Sequence, residues 1–163
     1  MTAYVAVAGP GDADAGELRL AEEIGAGLAA AGAVVVTGGL GGVMEAACRG
    51  ARSRLGVTVG LLPGEDRSAA NGWVSVAIGT GLGELRNGLV VRASDALVAI
   101  GGGPGTLSEI ALALKTGRGV VGMGTWEVPG VAPAASAAEA VTLALDLARR
   151  RSATSARPSA PPP

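Results

Sequence analysis

The sequence predicts a single-domain α/β protein built on a doubly wound parallel sheet, and three observations lead to this fold class. Short apolar runs alternate with helical patterns along the whole chain of 163 residues, a length suited to one domain. Glycine-rich junctions follow several of these runs, as expected where parallel strands lead into crossover helices. Apolar residues make up 48% of the chain, which is enough for a real core.

Local signals set the ends of several predicted helices. Asp14 and Glu17 have the spacing of a capping box, and Gly32 suits the end of the helix that they begin. Ser136 and Glu139 repeat this spacing ahead of the apolar pattern VTLALDLARR. The predicted strands are at residues 4–8, 33–37, 57–62, 73–78, 95–100 and 120–123. The predicted helices are at 14–31, 42–55 and 82–93, with one more that ends at Lys115 and a last one that follows Glu139.

One ligand-binding domain is predicted for residues 1–151, ahead of a tail at 152–163. The tail reads SATSARPSAPPP, and a Pro-rich segment of low complexity has no means of burying a core. The tail is therefore expected to be disordered.

Composition excludes several classes of function. The chain has no His and one Cys, so zinc and iron sites are not expected and no metal ligands are predicted. A single cysteine cannot form a disulfide within one chain, which favours a reducing compartment. The net charge of −1 gives no reason to expect nucleic acid as a partner. No apolar run has membrane length and Met1 leads into a strand pattern, so a cytoplasmic location without membrane contact is predicted.

The most informative stretch is GGGPGTLSEIALALK, from Gly101 to Lys115. It follows the apolar run at 95–100 and continues as a helical pattern, so its glycines lie where a strand ends and a helix begins. Glycine lets backbone N–H groups approach a ligand, and a helix N-terminus offers unpaired donors and a partial positive charge. The spacing fits neither G-x-G-x-x-G nor the P-loop, which needs a following Lys. The stretch predicts an anion site of another kind.

The same glycine pattern occurs upstream. GGxGxxxE runs from Gly38 to Glu45 and again from Gly102 to Glu109, 64 residues later, and further glycine junctions lie at 9–12 and 79–84. Loops that follow parallel strands emerge at one edge of the sheet, where open α/β folds bind ligands. The four loops are therefore expected to form one site.

Polar side chains beside these loops allow two interpretations each. Arg86 is expected at the start of a helix, where a cation opposes the helix dipole unless an anion is present, so it is either a phosphate ligand or a surface arginine. Glu109 has T-x-x-E spacing and either caps its helix or holds a ligand. Glu45 likewise either holds a ligand or has a structural role at the start of its helix, where Arg49 is a possible surface partner. Asn87 can hydrogen-bond a ligand or only the backbone.

The run from Glu84 to Lys115 resembles a signature of Rossmann-like proteins formerly named lysine decarboxylases. Among them, the Lonely guy phosphoribohydrolases carry the motif PGGxGTxxE, with an arginine about two dozen residues earlier that Arg86 matches here. The resemblance covers most of residues 3–124. It implies binding of a 5′-phosphate, with Arg86 and Glu109 supporting cleavage of an N-glycosidic bond. The residues that match the motif itself are Gly102, Gly103, Gly105, Thr106 and Glu109.

Two departures from the hydrolase motif point to a different relative. Gly101 stands where the motif begins with Pro, and Ser108 stands where the hydrolases carry the first of two glutamates. The variant GGGxGTLSE, preceded by Arg-Asn, is more similar to molybdenum cofactor carrier proteins, which are homo-oligomers that hold a phosphorylated pterin without transforming it. Pyridoxal phosphate is not expected, because it needs a Schiff-base lysine and Lys115, the only lysine, lies at the far end of its helix.

The resemblance therefore implies a carrier for a phosphorylated small molecule, most specifically molybdenum cofactor, rather than an enzyme. A nucleoside 5′-monophosphate phosphoribohydrolase with Arg86 and Glu109 as catalytic residues is the alternative, and a single-strand nucleic-acid binder is the third. A dimer or tetramer is expected, with neither nucleic acid nor membrane as a partner. The predicted ligand-binding residues are Gly9, Gly38, Gly39, Gly41, Glu45, Arg86, Asn87, Gly101, Gly102, Gly103, Gly105, Thr106 and Glu109.

Overall fold

The computed structural model describes residues 1–155, and seven strands of this part form one sheet. The strands are β1 (Tyr4–Ala8), β2 (Val34–Thr37), β3 (Thr58–Leu62), β4 (Val76–Gly79), β5 (Ala96–Ile100), β6 (Gly119–Met123) and β7 (Val131–Pro133). The helices are α1 (Ala15–Ala30), α2 (Val43–Ser53), α3 (Asn87–Arg92), α4 (Pro104–Lys115) and α5 (Ala137–Ser155). Every neighbouring pair of strands is parallel, which confirms the predicted Rossmann-like α/β fold.

The order of the strands creates a point where the winding of the chain reverses. The sheet has the order β4-β3-β2-β1-β5-β6-β7. The chain builds outward from β1 to β4 and then returns to place β5 on the other side of β1. The register pairs Val5 with Ala96 and Ala8 with Ala99, so the carboxyl ends of β1 and β5 lie side by side. The crevice outside two such strand ends is where open α/β sheets bind ligands.

Helices cover both faces of the sheet. α1, α2 and α5 pack on one face, where Ile24 and Val7 are buried, and α3 and α4 pack on the other, where Ile110 and Ala8 are buried. Because successive side chains of a strand enter opposite cores, β1 and β5 read as continuous apolar runs rather than as alternating patterns.

α1 and α2 touch through their backbones. A Cβ atom on Gly25 would overlap the carbonyl oxygen of Ala47, and one on Gly50 would overlap that of Glu22. Arg49 of α2 also forms a 2.8 Å salt bridge with Glu22 of α1. Glycine inside a helix costs about 1 kcal/mol relative to Ala, and this close contact explains Gly25 in α1 and Gly50 in α2.

Two strands differ from the prediction at the edges of the sheet. The fourth strand begins at Val76 rather than at residue 73, because the Asn71 side chain accepts a 3.0 Å hydrogen bond from the Trp73 N–H and holds the preceding residues in a turn. β7 was not predicted, since its three residues lie in a Pro/Gly-rich stretch and are too few for a pattern to emerge.

The helix predicted over 82–93 is divided in two. Residues Gly83–Arg86 form a one-turn 3₁₀ helix, and α3 follows with six residues. Gly81 and Gly83 have positive φ angles of 64° and 56°, so the chain turns sharply before it becomes helical. Arg86 therefore lies at the junction of the two short helices rather than in the first turn of one long helix.

The carboxyl-terminal helix extends past the predicted domain boundary. α5 continues to Ser155, whereas the domain was expected to end at residue 151. Residues 156–163 of the predicted tail lie outside the described residues. Within the described part of the chain, no helix combines the length and the apolar character needed to cross a membrane.

Candidate functional site

A cavity of about 290 Å³ opens at the carboxyl edge of the sheet, where the winding reverses. Each of the four glycine junctions that the sequence singled out contributes at least one residue to its lining. The predicted binding residues that line it are Gly9, Gly38, Arg86, Asn87, Gly103, Gly105, Thr106 and Glu109.

Arg86 reaches this cavity from the 3₁₀ helix and lies flat against Gly38. A Cβ atom on Gly38 would lie 2.5 Å from one terminal nitrogen of the guanidinium and 2.6 Å from the other, so only glycine leaves room for the side chain in this position. The side chain is buried, with 8% exposure, and its Nε atom has no hydrogen-bond partner among the described residues. Burial lowers the pKa of the guanidinium and the charge of Glu109 raises it, and an arginine stays protonated in either case.

A chain of side-chain hydrogen bonds fixes Arg86 relative to α4. The Nη1 atom of Arg86 donates to Asn87 Oδ1 at 2.8 Å, Asn87 Nδ2 donates to Ser108 Oγ at 3.1 Å, and Ser108 Oγ donates to the Gly105 carbonyl at 2.7 Å. Arginine can only donate, so the amide oxygen of Asn87 must face it and the amide nitrogen must face Ser108. We call this set the Arg86–Asn87–Ser108 relay. It shows that Asn87 bonds neighbouring side chains rather than the backbone.

The start of α4 supplies backbone donors to the same cavity. Gly103 is the N-cap residue and offers no side-chain cap, and Pro104 occupies the first helical position. The N–H groups of Gly105 and Thr106 belong to the first turn and have no acceptor within the helix. Both residues line the cavity. Free N–H groups at the positive end of a helix are an anion-binding arrangement.

Glu109 does not cap α4. Because the helix begins at Pro104, Thr106 is its third residue and Glu109 lies a full turn further in, so the predicted T-x-x-E capping box does not form. The carboxyl group is buried, with 7% exposure, and lines the cavity. Burial raises its pKa to about 7, and the charge of Arg86 acts in the opposite direction.

Arg86 and Glu109 face the same space without pairing. The salt bridges found in the described residues join Arg49 to Glu22 and Arg149 to Asp146, and include neither of them. No hydrogen bond to another described residue affects the pKa of Glu109: burial raises it, and the charge of Arg86 opposes that rise. The cavity thus offers a cation and an acid that both keep unused hydrogen-bonding capacity.

The model of the SLOG cluster4 family matches residues 2–151. The chain belongs to the SLOG cluster4 family. An uncharacterized protein of Archaeoglobus fulgidus is 43% identical to it over 119 residues, which span 73% of this chain and 78% of that protein.

Solved structures with the same architecture include two proteins named for molybdenum cofactor. The molybdenum cofactor binding protein of Rippkaea orientalis is 34% identical, with a TM-score of 0.85 over 90% of this chain and 98% of that one. The molybdenum cofactor carrier protein of Chlamydomonas reinhardtii is 36% identical, with a TM-score of 0.83 over 90% and 98% of the two chains. These matches confirm the resemblance inferred from the glycine motif.

Four glycines of the predicted site do not line the cavity in this SLOG cluster4 protein. Gly39 has a φ angle of 76° and packs against Leu62, and Gly101 has a φ angle of 62° beside the Glu17 carboxyl group. Gly102 lies under the Trp126 ring instead. Gly41 is exposed, and a Cβ atom added to it would have one neighbour, Glu45 Oε2 at 4.0 Å. The first three glycines serve the shape and packing of the loops.

Glu45 also lies outside the cavity lining, in the first turn of α2. The surface pairing considered for it with Arg49 does not form, because Arg49 bonds Glu22. Sequence reasoning omitted other residues, of which Met44 and Glu84 line the cavity and Ser108 holds the relay. Glu84 closes the glycine junction at 79–84, so its position in the sequence was a usable signal. Ser108 was noted as a departure from the hydrolase motif, but its contact with Asn87 was not foreseen, and Met44 gave no signal.

Proposed function

We propose that this SLOG cluster4 protein binds a phosphorylated small molecule in the 290 Å³ cavity and carries it without transforming it, with molybdenum cofactor as the cargo. One observation carries the proposal. The buried Arg86 guanidinium keeps a free Nε donor and lines the same cavity as Gly105 and Thr106 of the first turn of α4. Buried donors without acceptors are rare in native proteins, and a phosphate group supplies several strong acceptor oxygens.

The relatives narrow the class of cargo. The solved structures from Rippkaea orientalis and Chlamydomonas reinhardtii described above match this chain over almost their whole length. The donors at Arg86, Gly105 and Thr106 fit the phosphate end of such a molecule, because a guanidinium and helix N-terminal N–H groups both favour phosphate. The proposal assigns these donors to the phosphate and leaves the contacts of the rest of the cargo open.

Native mass spectrometry of the protein purified from cells that make molybdenum cofactor tests this proposal. We expect a retained mass that corresponds to the cofactor, and oxidation of the denatured sample should release a fluorescent pterin. The Arg86→Ala variant should lose most of that mass because it lacks the buried cation. If a nucleotide is retained and no pterin, molybdenum cofactor is not the cargo. If the Arg86→Ala variant retains as much ligand as the wild type, the proposed site is wrong.

A phosphoribohydrolase is the second candidate, because Arg86 and Glu109, the residues that the resemblance gives to hydrolysis, do line one cavity. Ser108 argues for the carrier, since it takes the place of the hydrolase's first glutamate and its hydroxyl is held within the relay. Hydrolysis needs a carboxylate to guide water and to stabilise positive charge at the sugar. We expect negligible release of free adenine from AMP. If the wild type turns over AMP repeatedly and Glu109→Ala does not, the protein is a phosphoribohydrolase rather than a carrier.

We also propose that the chain forms a homo-oligomer through an uncovered part of the sheet. Val76 and Ile78 of β4 are more than 40% exposed and pair with β3 on the face that carries α3, and Leu85 and Leu89 are exposed nearby in sequence. Exposed apolar side chains in such a group are typical of interaction surfaces. Light scattering should give a dimer or tetramer, and Ile78→Glu should lower the mass. A monomeric wild type at micromolar concentration would refute this.

The cytoplasmic location remains a proposal that rests on composition, because a chain with one cysteine has no disulfide framework to form. Cell fractionation with an antibody against the native protein would test it, and recovery of the protein in a membrane or secreted fraction would contradict it.

A further inference from the structure

The charges around the cavity are unusual for a site that binds an anion. Among the described residues that line it, Arg86 is the one cation, and Glu84 and Glu109 are the two carboxyl groups. Arg86 and Glu84 come from the 3₁₀ helix and Glu109 comes from α4, while the loops after β1 and β2 bring no charged side chain to the lining. With both acids ionised, the lining would carry one negative charge, which opposes the binding of a phosphate.

The two acids differ in their surroundings. Glu84 is exposed, so water screens its charge. Glu109 is buried at the wall of the cavity, and neither a salt bridge nor a hydrogen bond to another described residue compensates its charge. An ionised carboxylate without such a partner is costly at a buried position. Beside a bound anion, that cost would increase further, because a like charge disfavours ionisation.

We propose that Glu109 enters the ligand complex as a neutral carboxylic acid and donates a hydrogen bond to the bound anion, so that the site takes up one proton with each anion. This inference rests on the proposed function, because it concerns an anion in the same cavity. Glu109 then complements Arg86, and its proton removes the repulsion that an ionised carboxylate would cause. A protonated carboxyl group is a donor and loses that role when it ionises. The pKa of about 7 gives the free protein a substantial protonated fraction at neutral pH.

Inorganic sulfate is the appropriate probe, because it is a tetrahedral dianion that does not itself titrate near neutral pH. Its dissociation constant should be measured by calorimetry between about pH 6 and pH 8.5. If the anion binds only the acid form, a pKa of about 7 predicts a dissociation constant about 30-fold higher at the upper end of this range. Calorimetry near pH 8 in two buffers of different ionisation enthalpy should also show proton uptake that approaches one proton per sulfate.

Two variants of similar shape separate the acids. Glu109→Gln keeps an N–H donor at the same place without a titrating proton, so its sulfate affinity should match the wild type at about pH 6 and stay constant as the pH rises. Glu84→Gln should keep the pH dependence of the wild type, since Glu84 is exposed. Both variants should be compared at matched folded fractions, checked by thermal melting.

The outcomes distinguish this inference from the proposed function. If sulfate does not bind the wild type at about pH 6, the anion site itself is wrong and the inference falls with it. If sulfate binds without pH dependence and without proton uptake, the anion site stands and the neutral-acid role of Glu109 is refuted. That role is equally refuted if Glu109→Gln keeps the pH dependence of the wild type.

Discussion

Replacing Gly38 by alanine should weaken anion binding without unfolding the protein. The added Cβ atom would lie 2.5 Å from a terminal nitrogen of Arg86, whereas ordinary contacts begin near 3.4 Å. The guanidinium must therefore move by about 1 Å. The backbone at Gly38 does not have a positive φ angle, so alanine is allowed there. The substitution thus displaces Arg86 and leaves its charge in the cavity.

The size of the effect follows from what Arg86 contributes. Hydrogen bonds to charged groups are worth about 1.5–3 kcal/mol, and misplacing the guanidinium should forfeit most of that. This corresponds to a dissociation constant raised about 10- to 150-fold. AMP, whose phosphate resembles that of the proposed cargo, is a suitable ligand for calorimetry, and thermal melting would report the fold.

Gly41→Ala is the matched control, because it makes the same chemical change three residues later in the same loop. A Cβ atom there would have a single neighbour at 4.0 Å, so affinity should remain at the wild-type value. The reasoning is refuted if Gly38→Ala binds AMP as tightly as Gly41→Ala while both melt like the wild type.

Three further outcomes are expected. Ser108→Ala breaks the relay and should weaken AMP binding by about 0.5–1.5 kcal/mol, whereas Ser108→Thr keeps the hydroxyl and should bind AMP like the wild type. Equal affinity in the wild type and both variants would show that the relay does not position Arg86. Gly25→Ala forces a Cβ atom onto the Ala47 carbonyl and should lower stability in denaturant titrations by about 1–3 kcal/mol, whereas Gly88→Ala, which meets open space, should not. The pKa of Glu109 in the folded protein, about 7, lies above its ordinary value of 4.5. The contribution of Glu109 to stability is therefore full below about pH 4.5 and is lost by about pH 7. The assignment would be contradicted if the unfolding free energy of Glu109→Gln fell as steeply with pH over this range as that of the wild type.

The topology was predictable because the central strands are buried on both faces. β1 and β5 have no exposed positions apart from Tyr4, so the sequence shows them as unbroken apolar runs. β7 could not be predicted, since an edge strand of three residues that ends in Pro133 carries too little pattern. At the edges of the sheet, the local sequence was therefore not sufficient to predict the strands.

The convergence of the loops was predictable, whereas the roles of individual residues were not. Parallel strands place their carboxyl ends at one edge, so glycine junctions that follow them must approach each other. The repeated motif suggested equal roles for Gly39 and Gly103, yet Gly39 meets Leu62 and Gly103 faces the cavity. A motif records that glycine is needed, but the need can be a positive φ angle, close packing or a ligand.

Arg86, Asn87 and Ser108 illustrate what sequence spacing cannot supply. The prediction of one long helix over 82–93 put Arg86 in its first turn and left open whether it is a phosphate ligand or a surface arginine. The structure places Arg86 at the end of a 3₁₀ turn, where its side chain is buried. Asn87 and Ser108 are 21 residues apart and meet because α3 and α4 lie on the same face of the sheet. Such a contact depends on tertiary packing, and no local pattern encodes it.

The Trp126 indole N–H, which donates to the Gly103 carbonyl at 3.4 Å, gives the protein an optical reporter of its own site. The chain has two tryptophans, one tyrosine and no phenylalanine, so its ultraviolet emission comes almost entirely from Trp126 and Trp73. Trp73 precedes β4, at the opposite edge of the sheet from β7. In a Trp73→Leu background the emission of one indole would report the loop at the start of α4, and ligand occupancy could be followed in real time without a label.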